Sequence, residues 1–168
     1  MSRRFKTVSS LQNHIVDSIV SAIENKIIEI CIEVARKNIQ EKVYDAYIPQ
    51  GENAYDRTFD LLSAVTVANI NVGVKYVTFE IFMDSEKINP HVRNSYDGNQ
   101  WNAHASVEGI DVSEYIPLWI EEGTEGSLWD RDGAHYMEAT HYDLSGGKLA
   151  RELADALRLQ GWDVIKVT

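Results

Sequence analysis

Ile15, Ile19, Ile23, Ile27, Cys31, Ala35, Ile39 and Val43 follow one another at intervals of four residues. That period is close to the 3.6 residues of an α-helical turn and far from the two-residue alternation of a strand. It predicts one helix over about residues 9–43, capped by Ser9 or Ser10 and followed by Pro49 and Gly51. Four residues over-rotate an α-helix by about 40°, so the stripe should drift around the cylinder. Val16, Val20, Ile28, Ile30, Ile32 and Val34 widen it. The first half keeps a polar side with Asp17, Ser18, Ser21, Glu24 and Asn25, whereas a second apolar side opens from Ile28 onward. A helix apolar on two sides is sandwiched. The side carrying Ile28, Ile32, Ala35 and Ile39 is therefore the expected seat of a partner subunit, the alternative being that the sheet of the same domain wraps it or that the helix bends.

Beyond this helix the pattern changes to strands. Leu61–Ile70 and Val74–Met83 are predicted to pair across a turn at Asn71–Gly73. Residues 84–100 are polar and interrupted by Pro90 and Gly98, as expected for an exposed loop or hairpin tip, and Trp101–Val107 alternates as a third strand. Ser113 is placed to cap a short helix ending at Glu122, with Gly123 as its stop. Ser145 is placed to cap a last helix with Leu149, Leu153, Ala156 and Leu157 on its apolar face. Trp162–Val167 is predicted to close the chain as a strand. This order predicts an α+β fold, with the long N-terminal helix and a C-terminal helix packed on a small, mainly antiparallel sheet. The 168 residues are expected to form a single domain, with residues 1–8 as a flexible arm.

Charge narrows the function. The net charge is −10, and it concentrates late in the chain. Between Glu108 and Asp143 ten acids face one base, Arg131. Such a surface repels phosphate and disfavours a role in gripping DNA or RNA. No apolar run reaches the roughly 18 residues of a membrane span, and the start lacks the apolar core of a secretory signal. Cys31 is alone, so no internal disulfide forms.

Catalytic signatures are sparse. There is no Gly-x-Ser-x-Gly elbow, no Walker loop and no dinucleotide-binding Gly-x-Gly-x-x-Gly turn. Cys31, in the middle of the apolar stripe, reads as a core residue. His135, Glu138 and His141 are spaced so that a helix would bring them to one side, which defines a small metal-dependent enzyme as one alternative function. The spacing is not that of His-Glu-x-x-His, and a strand would separate Glu138 from the histidines. Asp130-x-Asp132-Gly133 resembles part of a calcium loop but lacks its first ligand position and its distal Glu. Ser145-Gly146-Gly147-Lys148 reads as a capped helix start. Trp119 and Trp129, beside the acidic stretch, are candidate interface anchors. The expectation is a non-enzymatic chain without metal or cofactor. A cytosolic adaptor working through the N-terminal helix is a further alternative.

Three segments sharpen this reading. Tyr55-Asp56-Arg57-Thr58-Phe59-Asp60-Leu61-Leu62-Ser63 follows the long helix. Tyr115-Ile116-Pro117-Leu118-Trp119-Ile120-Glu121-Glu122-Gly123-Thr124 precedes a polar loop, then Gly133-Ala134-His135-Tyr136-Met137 and the last helix. This order resembles the tail-completion, or head–tail joining (neck), proteins of tailed bacteriophages across about residues 9–165. Those chains run from a long helix into a Thr-Gly-x-Leu-x-x-Ser-like stretch, then an apolar-Glu-x-Gly-Thr stretch and a final helix. Here Phe59 stands where the family usually has Gly, and Pro117 and the 84–100 segment are additions. The resemblance implies a homo-oligomeric ring in the virion, made in the host cytoplasm. Its partners would be the head–tail connector or adaptor and the tail-tube or tail-terminator proteins. DNA would pass nearby without specific binding, and no catalysis or cofactor is implied. In that setting Glu121, Glu122, Glu125, Asp130 and Asp132 are expected to face the channel, where repulsive walls let DNA slide.

Overall fold

The computed structural model describes residues 5–46, 59–73, 76–88, 113–125 and 131–165. The fold is α+β, with a long N-terminal helix, C-terminal helices and small antiparallel strand pairs. Its helices are α1 (Val8–Ala22), α2 (Ile28–Ile39), α3 (Asp60–Ala64), α4 (Ile116–Glu122), α5 (Tyr136–Leu144) and α6 (Lys148–Leu159). The strands are β1 (Val65–Val72), β2 (Val77–Met83), β3 (Gly123–Thr124) and β4 (Arg131–Asp132). Among the described residues no helix is long and apolar enough to cross a membrane.

The helix begins two to three residues earlier than its serines suggest. Thr7 is the N-cap: its side chain accepts from Ser10 N–H, and the Ser10 hydroxyl accepts from Thr7 N–H, a reciprocal capping box. Ser10 is therefore the third helical residue, not the cap. From Val8 to Tyr44 the helix is unbroken, but it is not purely α. Two π turns, Ile23–Ile27 and Gln40–Tyr44, interrupt it; Ile28 N–H bonds Ile23 O and Asp45 N–H bonds Gln40 O. A π turn holds more residues than an α turn, so a four-residue step under-rotates there. The two π turns thus offset the drift expected of an ideal α-helix. Ile23, Ile27, Cys31, Ala35, Ile39 and Val43 are all buried.

The partner-facing side expected after Ile28 needs correction. Ala35 and Ile39 are both 0 % exposed within the chain and have no surface to offer, while Ile28 and Ile32 are half-buried. The exposed apolar residues of this helix lie in its first turns: Val8, Ile15 and Val16.

The chain forms two compact units. One comprises Met1–Glu33, Val67–Ile81 and Tyr142–Thr168. In it α6 packs against α1 and the first π turn, and Ala22, Ile23, Ile27, Cys31, Leu144 and Ala154 are buried. The rings of Phe5, His14 and Trp162 stand in series with centroids 5.3 Å apart. The other unit comprises Val34–Thr66 and Phe82–His141. Its buried apolar residues are Ala35, Ile39, Val43, Leu61, Ala64, Val65, Ile88, Ile116, Ile120 and Tyr136.

The first hairpin departs from the sequence expectation in two places. Leu61–Ala64 is helical, and β1 starts only at Val65. Asn71 and Val72, expected in the turn, belong to β1, and Gly73 N–H bonds Tyr76 O at 2.8 Å. Asp84 N–H bonds Ala64 O at the far end, one residue out of the register set at the turn. β1 therefore holds one extra residue, a bulge, and Asn69 sits there with φ 55°. The bulge reverses the alternation so that Val65, Val67, Ile70 and Val72 share one side. In β2, Val77, Phe79, Ile81 and Met83 are half-buried and alternate with exposed neighbours, as the sequence predicts.

Residues 135–144, whose conformation the sequence left open, form α5 after His135, which has φ 50°. The final helix is preceded by Gly147 at φ 78°, and Ser145 instead bonds back to Tyr142 O. Trp162–Ile165 is not a strand. The predicted strand Trp101–Val107 and the excursion at 89–100 lie outside the described residues.

Candidate functional site

The Ile120-Glu121-Glu122-Gly123-Thr124 stretch organises its surroundings through three physical roles. Gly123 ends α4 with φ 87° and ψ −176°, a conformation open chiefly to glycine. Thr124 and Gly123 then pair as β3 with Arg131 and Asp132 of β4. The returning chain closes the end of α4: Ala134 N–H bonds Ile120 O at 2.8 Å and His135 N–H bonds Glu121 O at 3.1 Å. It passes so close that a Cβ on Gly133 would lie 2.5 Å from Glu121 O.

Glu121 completes the arrangement in the opposite direction. Its carboxylate accepts from Met137 N–H at 2.8 Å and Glu138 N–H at 3.1 Å, capping the start of α5. A carboxylate at a helix N-terminus satisfies free donors and complements the helix dipole. Helices of seven and nine residues are marginal alone, so each of these two caps the other. Tyr136, wholly buried, donates its hydroxyl to Pro117 O at 3.2 Å. Burial, with Glu121 and Tyr44 nearby, holds its phenol well above the usual tyrosine range. Thr140, also buried, is satisfied by Tyr136 O at 2.7 Å. Sequence reasoning assigned Glu121 to an acidic surface; the spacing to a helix start at residue 136 was the missed signal.

The outward face of α4 carries different chemistry. Tyr115, Leu118, Trp119 and Glu122 fall at helical spacing on one side, opposite the buried Ile116, Pro117 and Ile120. Tyr115 and Leu118 are 47% and 49% exposed, and the Tyr115 and Trp119 rings stack with centroids 5.9 Å apart. Glu114, Glu122, Glu125 and Asp132 are exposed. Trp129 and Asp130 lie outside the described residues.

A second apolar surface lies in the other unit. A cleft of about 510 Å³ is lined by Ile19, Ile23 and Ile27 of the long helix, Val77 and Phe79 of β2, and Leu149 and Leu153 of α6. Tyr76 stands at its edge over Gly73, where a Cβ would lie 2.6 Å from the tyrosine ring.

The residues weighed for chemistry are dispersed. His135 Nδ1 lies 3.8 Å from Glu138 Oε2, on an exposed side, and among the described residues no three His, Cys, Asp or Glu side chains gather closely enough to hold a metal. The metal site suggested by His135, Glu138 and His141 is thus not assembled. Cys31 is fully buried, and burial raises its thiol to about 11 against the opposing influence of Lys148. A thiol so protonated is a core residue rather than a nucleophile.

No curated protein and no solved structure gives a significant match to this chain. A family model, YomN, matches residues 7–159, from the capping Thr7 to the last residue of α6. With nearly its whole length covered, the chain belongs to the phage-associated YomN family.

Proposed function

We propose that the chain is a structural virion subunit of a tailed bacteriophage, a tail-completion or neck protein whose copies form a ring joining the tail to the head connector around the DNA channel. The observation that carries this reading is that a family match and a resemblance in layout cover the same stretch of the chain. The phage-associated family match covers residues 7–159, and the neck-protein layout runs through the same elements, from the long helix to the last one. The Ile120–Thr124 stretch, one of the segments that carry the resemblance, is also where α4, β3, β4 and α5 are tied together. Exposed apolar side chains on α4 and on the first turns of the long helix support a role in assembly rather than turnover.

The decisive test is removal of the gene from a phage that carries it, followed by electron microscopy of the lysate. A neck role yields filled heads and finished tails that remain separate, with joining restored by adding purified protein. Complete infectious virions without the protein would overturn the reading. A soluble one-to-one complex with a single non-virion protein would instead support the adaptor alternative.

A further inference from the structure

We propose that the exposed face of α4 seats the basic N-terminal segment of a second copy of this chain, making a head-to-tail subunit contact. The proposal deepens the ring reading and rests on it.

The α4 face is an apolar strip with an acidic border. Tyr115, Leu118 and Trp119 form the strip, and exposed Glu114, Glu122 and Glu125 border it. None of these three carboxylates has an ion-pair partner among the described residues. Pairing this face with itself across a two-fold axis would oppose like charges, so its complement must be basic as well as apolar.

The start of the chain has that chemistry. Arg3, Arg4 and Lys6 surround Phe5, and no acid occurs before Asp17. Lys6 is exposed and without an ion-pair partner among the described residues, while Phe5 and Val8 are 39% and 73% exposed. The basic residues Lys37, Lys87 and Arg158, by contrast, pair with Glu41, Asp84 and Asp155. Phe5 packs on His14, so the segment is anchored where it leaves α1. Two different surfaces in contact make a heterologous interface, which closes into a ring when its rotation permits.

A charge-swap experiment on the full chain tests this by light scattering after size exclusion. One variant carries Arg3→Glu and Arg4→Glu; the other carries Glu122→Lys and Glu125→Lys. Each alone should self-associate at least roughly tenfold more weakly than wild type, because like charges then meet. Mixed, the two should assemble again, since the reversed surfaces complement each other. Wild-type assembly should also weaken between about 50 mM and about 500 mM salt as exposed charges are screened. Circular dichroism checks that both variants are folded.

If wild type forms rings but both variants do so equally well, the contact lies elsewhere and only this proposal fails. If wild type stays monomeric at every concentration, alone and with tail-tube protein, the proposal and the ring reading fail together. Loss of assembly in both variants without recovery on mixing would show a partner other than the N-terminal segment and would also overturn it.

Discussion

The two ends of the long helix have similar apolar content and opposite fates. From Ile23 to Val43 the four-residue stripe is buried, with Cys31, Ala35 and Ile39 at 0 % exposure. From Val8 to Val16 the apolar residues Val8, Ile15 and Val16 face outward, at 73%, 38% and 40%. Composition does not distinguish the two ends. What differs is how many sides of the helix are covered, and that is decided by elements distant in sequence. A surplus of apolar residues on a helix therefore counts the faces that need cover without saying where cover is lacking.

The sharpest break in this comparison is Ile39→Ala. It empties a fully enclosed site, so a loss of roughly 2–5 kcal/mol is expected in urea unfolding. A loss below about 1 kcal/mol would mean that this end is as exposed as the other. Replacing both Ile32 and Ile39 with Glu should abolish folding rather than assembly alone.

The second test uses pH. The Cys31 thiol titrates near 9.0 when unfolded and about 11 when folded. The folded chain holds the proton longer, so the stabilisation present below pH 9.0 is lost as pH rises through about 11. Across that window wild type should lose roughly 2 kcal/mol more than Cys31→Ala, which has no thiol to deprotonate. Slopes rather than absolute stabilities are the measure, because the substitution also removes packing. Equal slopes would show that the thiol reaches water.

The third test leaves the helix for the α4–α5 region. Tyr136→Phe removes the hydroxyl that bonds Pro117 O and should cost about 1 kcal/mol in thermal or urea unfolding, the net worth of one hydrogen bond. The smallest effect belongs to the exposed end. Val16→Ser should change stability by under about 0.5 kcal/mol, since little burial is lost there. A larger loss of stability in dilute monomer would show that Val16 is packed within the chain.

Much of the local structure was legible from residue order. The long helix, the Gly123 stop, the alternation of β2 and the apolar face of α6 follow from periodicity and from the conformational freedom of glycine. The features that were not legible share a cause. The Asn69 bulge, the two π turns and the shift of the helix cap to Thr7 are each a displacement of one or a few residues; the bulge and the π turns keep apolar side chains on a common side. Periodicity read on ideal geometry cannot place such adjustments. Glu121 was hidden for another reason: its partners, the N–H groups of Met137 and Glu138, lie sixteen and seventeen residues away, and the acid-rich neighbourhood suggested a solvated surface instead.

By itself the sequence determined that there is a helix of about 35 residues with a continuous apolar stripe, an acidic second half and an α+β order. These depend on local spacing and on charge, which the chain carries into any fold. Only the tertiary structure decided which apolar residues are enclosed and which carboxylate is structural. Burial and long-range hydrogen bonding depend on what packs alongside, and neither Ala35 nor Glu121 carries that information in its own neighbourhood of the chain.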